Sequence, residues 1–346
     1  MKDKVKWGII GSGGIAKRRT IPEGILPARN AQLAAVYDLN QSLNAQLAKQ
    51  FNAKAVSSVE ELLAEELDAV YVATPANVHC QQVIKCAQAK KHVFCEKPLG
   101  MTIDEAQKMI EECKKHEVKL GAAFMMRFHS QHQAAQKMIH EGRLGKPVYA
   151  RAQLSCWYPP MAGAWRLDPK QSGGGSLIDM GGHCIDLLEM LLGQVKSVCC
   201  LTNNLVHDYR TEDSAVVMLR FANGAMATVD TFFCIPDDSS KNILEVYGSK
   251  GSIIAKNTIG QGQAGEMTAY LDNSDGSYNA QQGRTVESGL VISPKPVNTY
   301  QSEIEEFSAA ILGNRPALND AAAGLQSQKI LSACYESAKL GKFTDV

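Results

Sequence analysis

Short apolar runs alternate with amphipathic stretches through the first third of the chain. Runs at residues 6–10, 33–37, 69–73, 92–95 and 119–124 have strand length, and the segments 15–24, 41–51, 59–65, 79–89 and 103–116 between them carry apolar residues at helical spacing. Thr102 stands where it would cap the last of these helices. Strands that alternate with helices predict a doubly wound parallel sheet. Beyond about residue 127 the period changes. A helix at 133–141 leads into runs at 147–156, 197–206, 214–221 and 225–233 that alternate as strands do, mostly without helices between them. Asn223-Gly224 separates two of these runs and signals a hairpin. The predicted architecture is an α/β unit followed by an α+β unit built on a large, mostly antiparallel sheet. A helix at 183–192 interrupts that sheet, and helices at 300–312 and 321–340 close the second unit. The division falls at 1–126 and 127–346, with the final helix free to pack back on the first unit, and 260–265 and 272–283 read as surface loops.

Composition narrows the classes. The 346 residues are 45% hydrophobic and 21% charged, with 36 basic side chains against 36 acidic ones. This balance gives no electrostatic reason to expect a nucleic-acid partner. Ten scattered cysteines form no CxxC pair and read as reduced thiols. The start of the chain runs directly into an apolar strand, too short for a signal peptide, and no apolar run is long enough to span a bilayer. The expectation is therefore a soluble cytoplasmic protein.

Chemistry concentrates in three places. Gly11-Ser12-Gly13-Gly14-Ile15-Ala16 follows the first strand and opens a helix, matching G-x-G-x-x-A in the context that a dinucleotide-binding (Rossmann) unit requires. Gly11 permits the tight turn, Gly13 the approach of backbone to a diphosphate, and Ala16 close packing of helix on strand. Asp38 ends the second strand, placed to accept from the adenosine ribose hydroxyls. A carboxylate there repels a 2′-phosphate, so NAD is favoured over NADP, with Arg18 and Arg19 as the reservation. Thr74, Pro75 and Asn77 leave the third strand toward the cofactor groove, and His79 reads as a helix-start residue.

The second place is Glu96-Lys97-Pro98, at the carboxyl end of the 92–95 strand, where ligands bind in open α/β sheets. The third is Gly173-Gly174-Gly175-Ser176, followed by Asp179, His183 and Asp186, which share a helix face if the helix begins before Gly181. At these residues the chain resembles the glucose-fructose oxidoreductase / inositol dehydrogenase / rhizopine-catabolism (Gfo/Idh/MocA) family over nearly its whole length. The resemblance implies an NAD(P)-dependent oxidoreductase acting on a secondary alcohol of a sugar, sugar derivative or cyclitol. It carries catalytic roles onto Lys97, Asp179 and His183, adds Glu96 and Lys97 to the cofactor-binding residues, and implies a cis peptide before Pro98. In the chemistry this implies, His183 is the base, Lys97 stabilises the oxygen or equally serves as proton donor, and Asp179 orients substrate or holds the other two. Arg127, Trp165 and Arg166 join the substrate-binding set, Trp157 and Tyr158 lie near them in sequence, and Asp186 reads as structural.

Three rivals stay open. A metal enzyme could use Asp179, His183 and Asp186 but lacks a further ligand set, and no metal is assigned. A glycoside hydrolase could oxidise the sugar transiently and recycle NAD. A non-catalytic regulator would sense a dinucleotide without turnover. By resemblance, and because an uncovered sheet face suits pairing, a homodimer or homotetramer is expected.

Overall fold

The computed structural model describes residues 3–272, 280 and 289–346. Of the loop expected at 272–283, residues 273–279 and 281–283 lie outside these. The first layer contains β1 (Val5–Ile10), β2 (Ala31–Tyr37), α1 (Gln41–Phe51), β3 (Lys54–Ala55), α2 (Val59–Ala64), β4 (Ala69–Val72), α3 (His79–Gln88), β5 (His92–Cys95), α4 (Ile103–Lys115) and β6 (Leu120–Ala122). Its six strands are all parallel, in the order β3-β2-β1-β4-β5-β6. All four residues of β4 are buried, as a strand covered on both faces requires. Asn40, Ser58 and Thr102 cap α1, α2 and α4 through their side chains, the last as expected. The helix after β1, Ala16–Ile25, is wound wide: Leu26 donates to the carbonyl of Ile21, and Pro22, which has no N–H, lies inside it.

The second layer contains α5 (Ser130–His140), β7 (Pro147–Ser155), α6 (Pro169–Ser172), α7 (Gly182–Leu192), β8 (Val195–Asn203), β9 (Ser214–Phe221), β10 (Met226–Phe232), β11 (Ile243–Gly248), β12 (Gly251–Lys256), β13 (Glu266–Leu271) and β14 (Leu290–Val291). Two helices, α8 (Thr299–Leu312) and α9 (Ala321–Leu340), and β15 (Thr344–Asp345) complete the chain. The nine strands run β14-β13-β12-β11-β7-β10-β9-β8-β15, antiparallel except for the parallel pair β7 and β10. The hairpin at Asn223-Gly224 joins β9 to β10 as its sequence predicts, with Gly224 in the left-handed region. Along β9, Ala215, Val217, Leu219 and Phe221 face the core beneath α7, whereas Val216, Met218 and Arg220 face outward.

Three differences from the sequence expectations have physical causes. Strands β11 to β14 extend the second sheet well beyond the runs that the sequence pattern marked out. The helix expected at 183–192 is preceded by a wide turn, Leu177–Gly181, so the helical path begins before Gly181. Most consequentially, α8 does not close the second sheet. It lies on the first, where Phe307 packs on Phe94 (ring centroids 4.8 Å apart) and Trp7 donates its indole N–H to Ser308 at 3.2 Å. Burying those rings is the gain that draws the segment back. Helix α9 touches both layers, meeting α4 and β6 on one side and β8 on the other.

The chain crosses between layers through a short turn, Met125–Phe128, that leads into α5, and two buried histidines sit there. The rings of His129 and His132 lie 4.6 Å apart, and His132 Nδ1 donates to the Met126 carbonyl at 2.9 Å. Burial, with His129 beside it, holds His132 down to about 3, and burial also lowers His129. A histidine with a depressed folded pKa stabilises the native state above its unfolded value, and that contribution is lost as pH falls. Between pH 6.5 and about 3, His132 should therefore reduce unfolding free energy, by about 1.4 kcal/mol per pH unit. Denaturant titrations at stepped pH should show a flatter acid limb for His132→Gln. Identical limbs for variant and wild type would contradict this assignment.

Candidate active site

The order of the first sheet reverses between β1 and β4, which opens a crevice at their carboxyl ends. Gly11 leaves β1 there with φ +88°, and a Cβ on it would come within 2.9 Å of the Ala73 backbone, so only glycine fits the turn. Gly14 also lies in the left-handed region, at φ +51°, and the space around it is open. Behind this cradle, Asp38 accepts from the amide of Gly13 through Oδ2 and from that of Asn40 through Oδ1, both at 2.9 Å. Ser12 turns away from it: its hydroxyl donates to buried Asn44 at 3.0 Å, so only its backbone faces the cradle. Ile15 packs against the second layer's core. Open backbone at the head of a helix, whose first amides have no preceding turn to satisfy them, fits the diphosphate of a dinucleotide. Farther along the crevice, Thr74 donates its hydroxyl to Gln82 at 2.6 Å, and Pro75 leads into the turn Ala76–Val78 that contains Asn77.

Beside β4, the end of β5 delivers Glu96 and Lys97, whose side chains part. Glu96 accepts from the Tyr71 hydroxyl at 2.6 Å and is pushed up by burial. Lys97, joined to Pro98 by a cis peptide, reaches into the second layer. Its ammonium donates to Asp179 Oδ1 at 2.8 Å and to the Asp179 carbonyl. On the other side of that carboxylate, Arg166 Nε donates to Oδ2 at 3.1 Å. Burial raises the Asp179 carboxyl, but Arg166 and Lys97 outweigh it and hold it well below the usual carboxylate range. His183 stands close enough to feel both charges: burial, then the Lys97 ammonium, bring it down to about 3 against the opposing pull of Asp179. Its imidazole is therefore neutral at physiological pH, and its Nδ1 is buried with no partner among the described residues.

Lys97, Asp179, His183 and Arg166 thus converge, while other sequence candidates have different partners. Arg127 pairs with Asp186 through Nε and Nη2, with contacts of 2.7–3.0 Å, so the Asp179-His183-Asp186 face splits into two ion-paired centres. The ring of Trp165 carries the Arg166 guanidinium over one face, 4.5 Å from the centroid. The glycine run has a local cause that its sequence did not disclose. Buried Glu212 accepts from the amides of Gly175 (2.8 Å) and Leu177 (3.0 Å) and from the Tyr335 hydroxyl (2.9 Å). A Cβ on Gly174 would collide with that hydroxyl, and one on Gly175 with the Glu212 carbonyl. These glycines admit the clamp that aims Asp179, and Glu212 itself was marked by no motif.

Known proteins share this fold. Residues 5–124 match the model for the oxidoreductase family with an NAD-binding Rossmann fold, and residues 132–254 match that for the GFO/IDH/MocA C-terminal domain. The chain is 30% identical over 345 residues to 1,5-anhydro-D-fructose reductase of Ensifer adhaerens, covering 99% of this chain and 98% of that one. It is 34% identical over 279 residues to myo-inositol 2-dehydrogenase of Thermotoga maritima, covering 79% of each. Among solved structures, aldose-aldose oxidoreductase of Caulobacter crescentus shares the fold with a TM-score of 0.88 at 24% identity, over 99% of this chain and 100% of that one. With family matches in both layers and a relative aligned end to end, the chain belongs to the GFO/IDH/MocA family of NAD(P)-binding oxidoreductases and is a dehydrogenase.

Proposed function

We propose that the protein transfers a hydride between NAD and a ring secondary alcohol of a sugar or cyclitol, with Lys97, Asp179 and His183 managing the oxygen and its proton. The observation that carries this reading is the Lys97 ammonium of the first layer seated on Asp179 of the second at 2.8 Å. Two of the three ammonium N–H bonds go to Asp179, which leaves one for the substrate oxygen. Bound nicotinamide supplies the hydride chemistry. Lys97 holds the oxygen and stabilises its developing charge, neutral His183 takes the alcohol proton and, with its pKa at about 3, passes it on to solvent, and Asp179 remains a carboxylate that keeps the ammonium in place. Arg166 braces Asp179 from behind, and Trp165 braces Arg166.

Preference for NAD rests on Asp38. Each of its oxygens accepts one amide and retains room for a hydroxyl donor, whereas a phosphate there would meet like charge. The arginines are occupied locally: Arg19 is engaged by Glu23 and Gln261, and Arg18 Nε donates to the Gly14 carbonyl. The relatives are named for an anhydro sugar and for myo-inositol, which supports a polyhydroxylated ring as substrate.

A panel of inositols, aldoses and glycosides, followed by NADH absorbance with NADP in parallel, should yield net NADH from at least one ring alcohol. Glycoside cleavage without net NADH would favour the hydrolytic alternative instead. Lys97→Ala should still bind NADH and lose turnover by about a hundredfold or more; near-normal turnover would remove Lys97 from the mechanism.

The outward face of the second sheet supports pairing with a second copy of the chain. Met218 is 47% exposed, Met226 55% and Leu201 70%, around a ladder in which Tyr149 stacks on Tyr247 and donates to or accepts from Thr228. Exposed apolar side chains grouped on one sheet face, beside the Arg151–Asp230 ion pair, have the mixed character of an interface between copies. Sedimentation should find a dimer or tetramer for the wild-type protein and a monomer for Met218→Asp; an unchanged assembly in the variant would exclude this face.

A further inference from the structure

Two turns bring the first layer's chemistry to the cleft, one at Thr74-Pro75 after β4 and one at Lys97-Pro98 after β5. A single side chain joins them. His79, the first residue of α3, is only 1% exposed, with Nδ1 2.9 Å from the Pro98 carbonyl and Nε2 2.8 Å from the Thr74 carbonyl. A carbonyl oxygen can only accept, and burial favours the neutral imidazole, so the ring donates its one N–H to one turn and packs its other nitrogen against the second. A rigid planar ring with a nitrogen toward each turn fixes the gap between them, which a flexible side chain would leave adjustable. The grip extends to both sides. Gln82, one turn further along α3, receives the Thr74 hydroxyl, while Leu99, next to Pro98, is buried against Gly324 of α9.

We propose that His79 is a positioning residue: it ties the turn on the cofactor side of the crevice to the carbonyl immediately beyond Lys97, and so sets where the ammonium stands. This rests on the reading of Lys97 as the group that meets the substrate oxygen. A histidine that merely fills the core would affect the whole layer when replaced. One that positions Lys97 would affect the carboxyl end of β5 and spare the opposite end. Lys91, just before β5, is the internal control, because its ammonium is held by the carbonyls of Glu65 and Leu67 at 3.1 Å each.

The test uses the full-length protein with NADH, a water-soluble succinimidyl acetate, and mass spectrometry to follow acetylation of each lysine. In His79→Phe, which keeps an aromatic ring and removes both ring nitrogens, Lys97 should acetylate about tenfold faster than in wild type, while Lys91 is unchanged. His79→Gln, whose amide retains N–H donors, should recover much of the protection. His79→Asn, too short to span both carbonyls, should not, and this pair decides the matter if the Phe variant fails to fold. Equal protection of Lys97 in all variants, or a parallel rise at Lys91 and Lys97, would overturn the proposal. Undiminished turnover in Lys97→Ala would instead remove the lysine's role and leave the labelling result standing.

Discussion

A half-buried carboxylate between two cations organises the cleft. Asp179 receives the Lys97 ammonium from the end of one sheet and the Arg166 guanidinium from the loop before the glycine run. The attraction in such a pair is largely offset by the desolvation of its members, so its contribution lies more in fixing geometry than in net stability. Breaking it from either side strands a buried charge, which is far more costly than never having formed it. The two layers are thus held in register at the proposed site of reaction. The same two cations depress the Asp179 carboxyl, whereas His183 is lowered first by burial and then by the Lys97 ammonium.

The same device serves both halves of the cleft. Each glycine-rich stretch is followed by a helix that starts with a wide turn, Ala16–Ile25 in one case and Leu177–Gly181 in the other. In each, a glycine without a side chain lets a neighbouring backbone come close: Gly11 meets Ala73, and Gly175 meets Glu212. Wide turns recur at functional sites because they shift the side chains that follow by part of a helical step. Here the turn Leu177–Gly181 contains Asp179, and His183 follows at the start of α7.

Much of this was legible from residue pattern. The parallel order around Gly11 and the Asn223-Gly224 hairpin rest on local signals, whereas the joint role of Lys97 and Asp179, 82 positions apart, came from the family resemblance. The parts that escaped depend on long-range packing. Nothing in 300–312 alone reveals that Phe307 belongs against Phe94, because an apolar helix face does not name its partner. Strands β11 and β12 flank Gly248-Ser249-Lys250-Gly251 with alternating apolar residues, a hairpin signal that the sequence reading did not mark. Asp186 and Arg127 lie 59 positions apart, so their pairing had no local trace. Glu212 and His79 act through backbone atoms, which carry no identity for a motif to record.

The return of α8 and α9 has a further effect. A two-layer chain that crossed only once, near Met125–Phe128, would be free to swing like a book about its spine. Here α8 lies on the wide helix and on β1 and β2, and α9 wedges between α4 and β8, so the covers are stitched at several places. Such a molecule is built like a mould: its own packing sets the width of the gap, which leaves selection among substrates to the shape and hydrogen-bonding pattern of its walls.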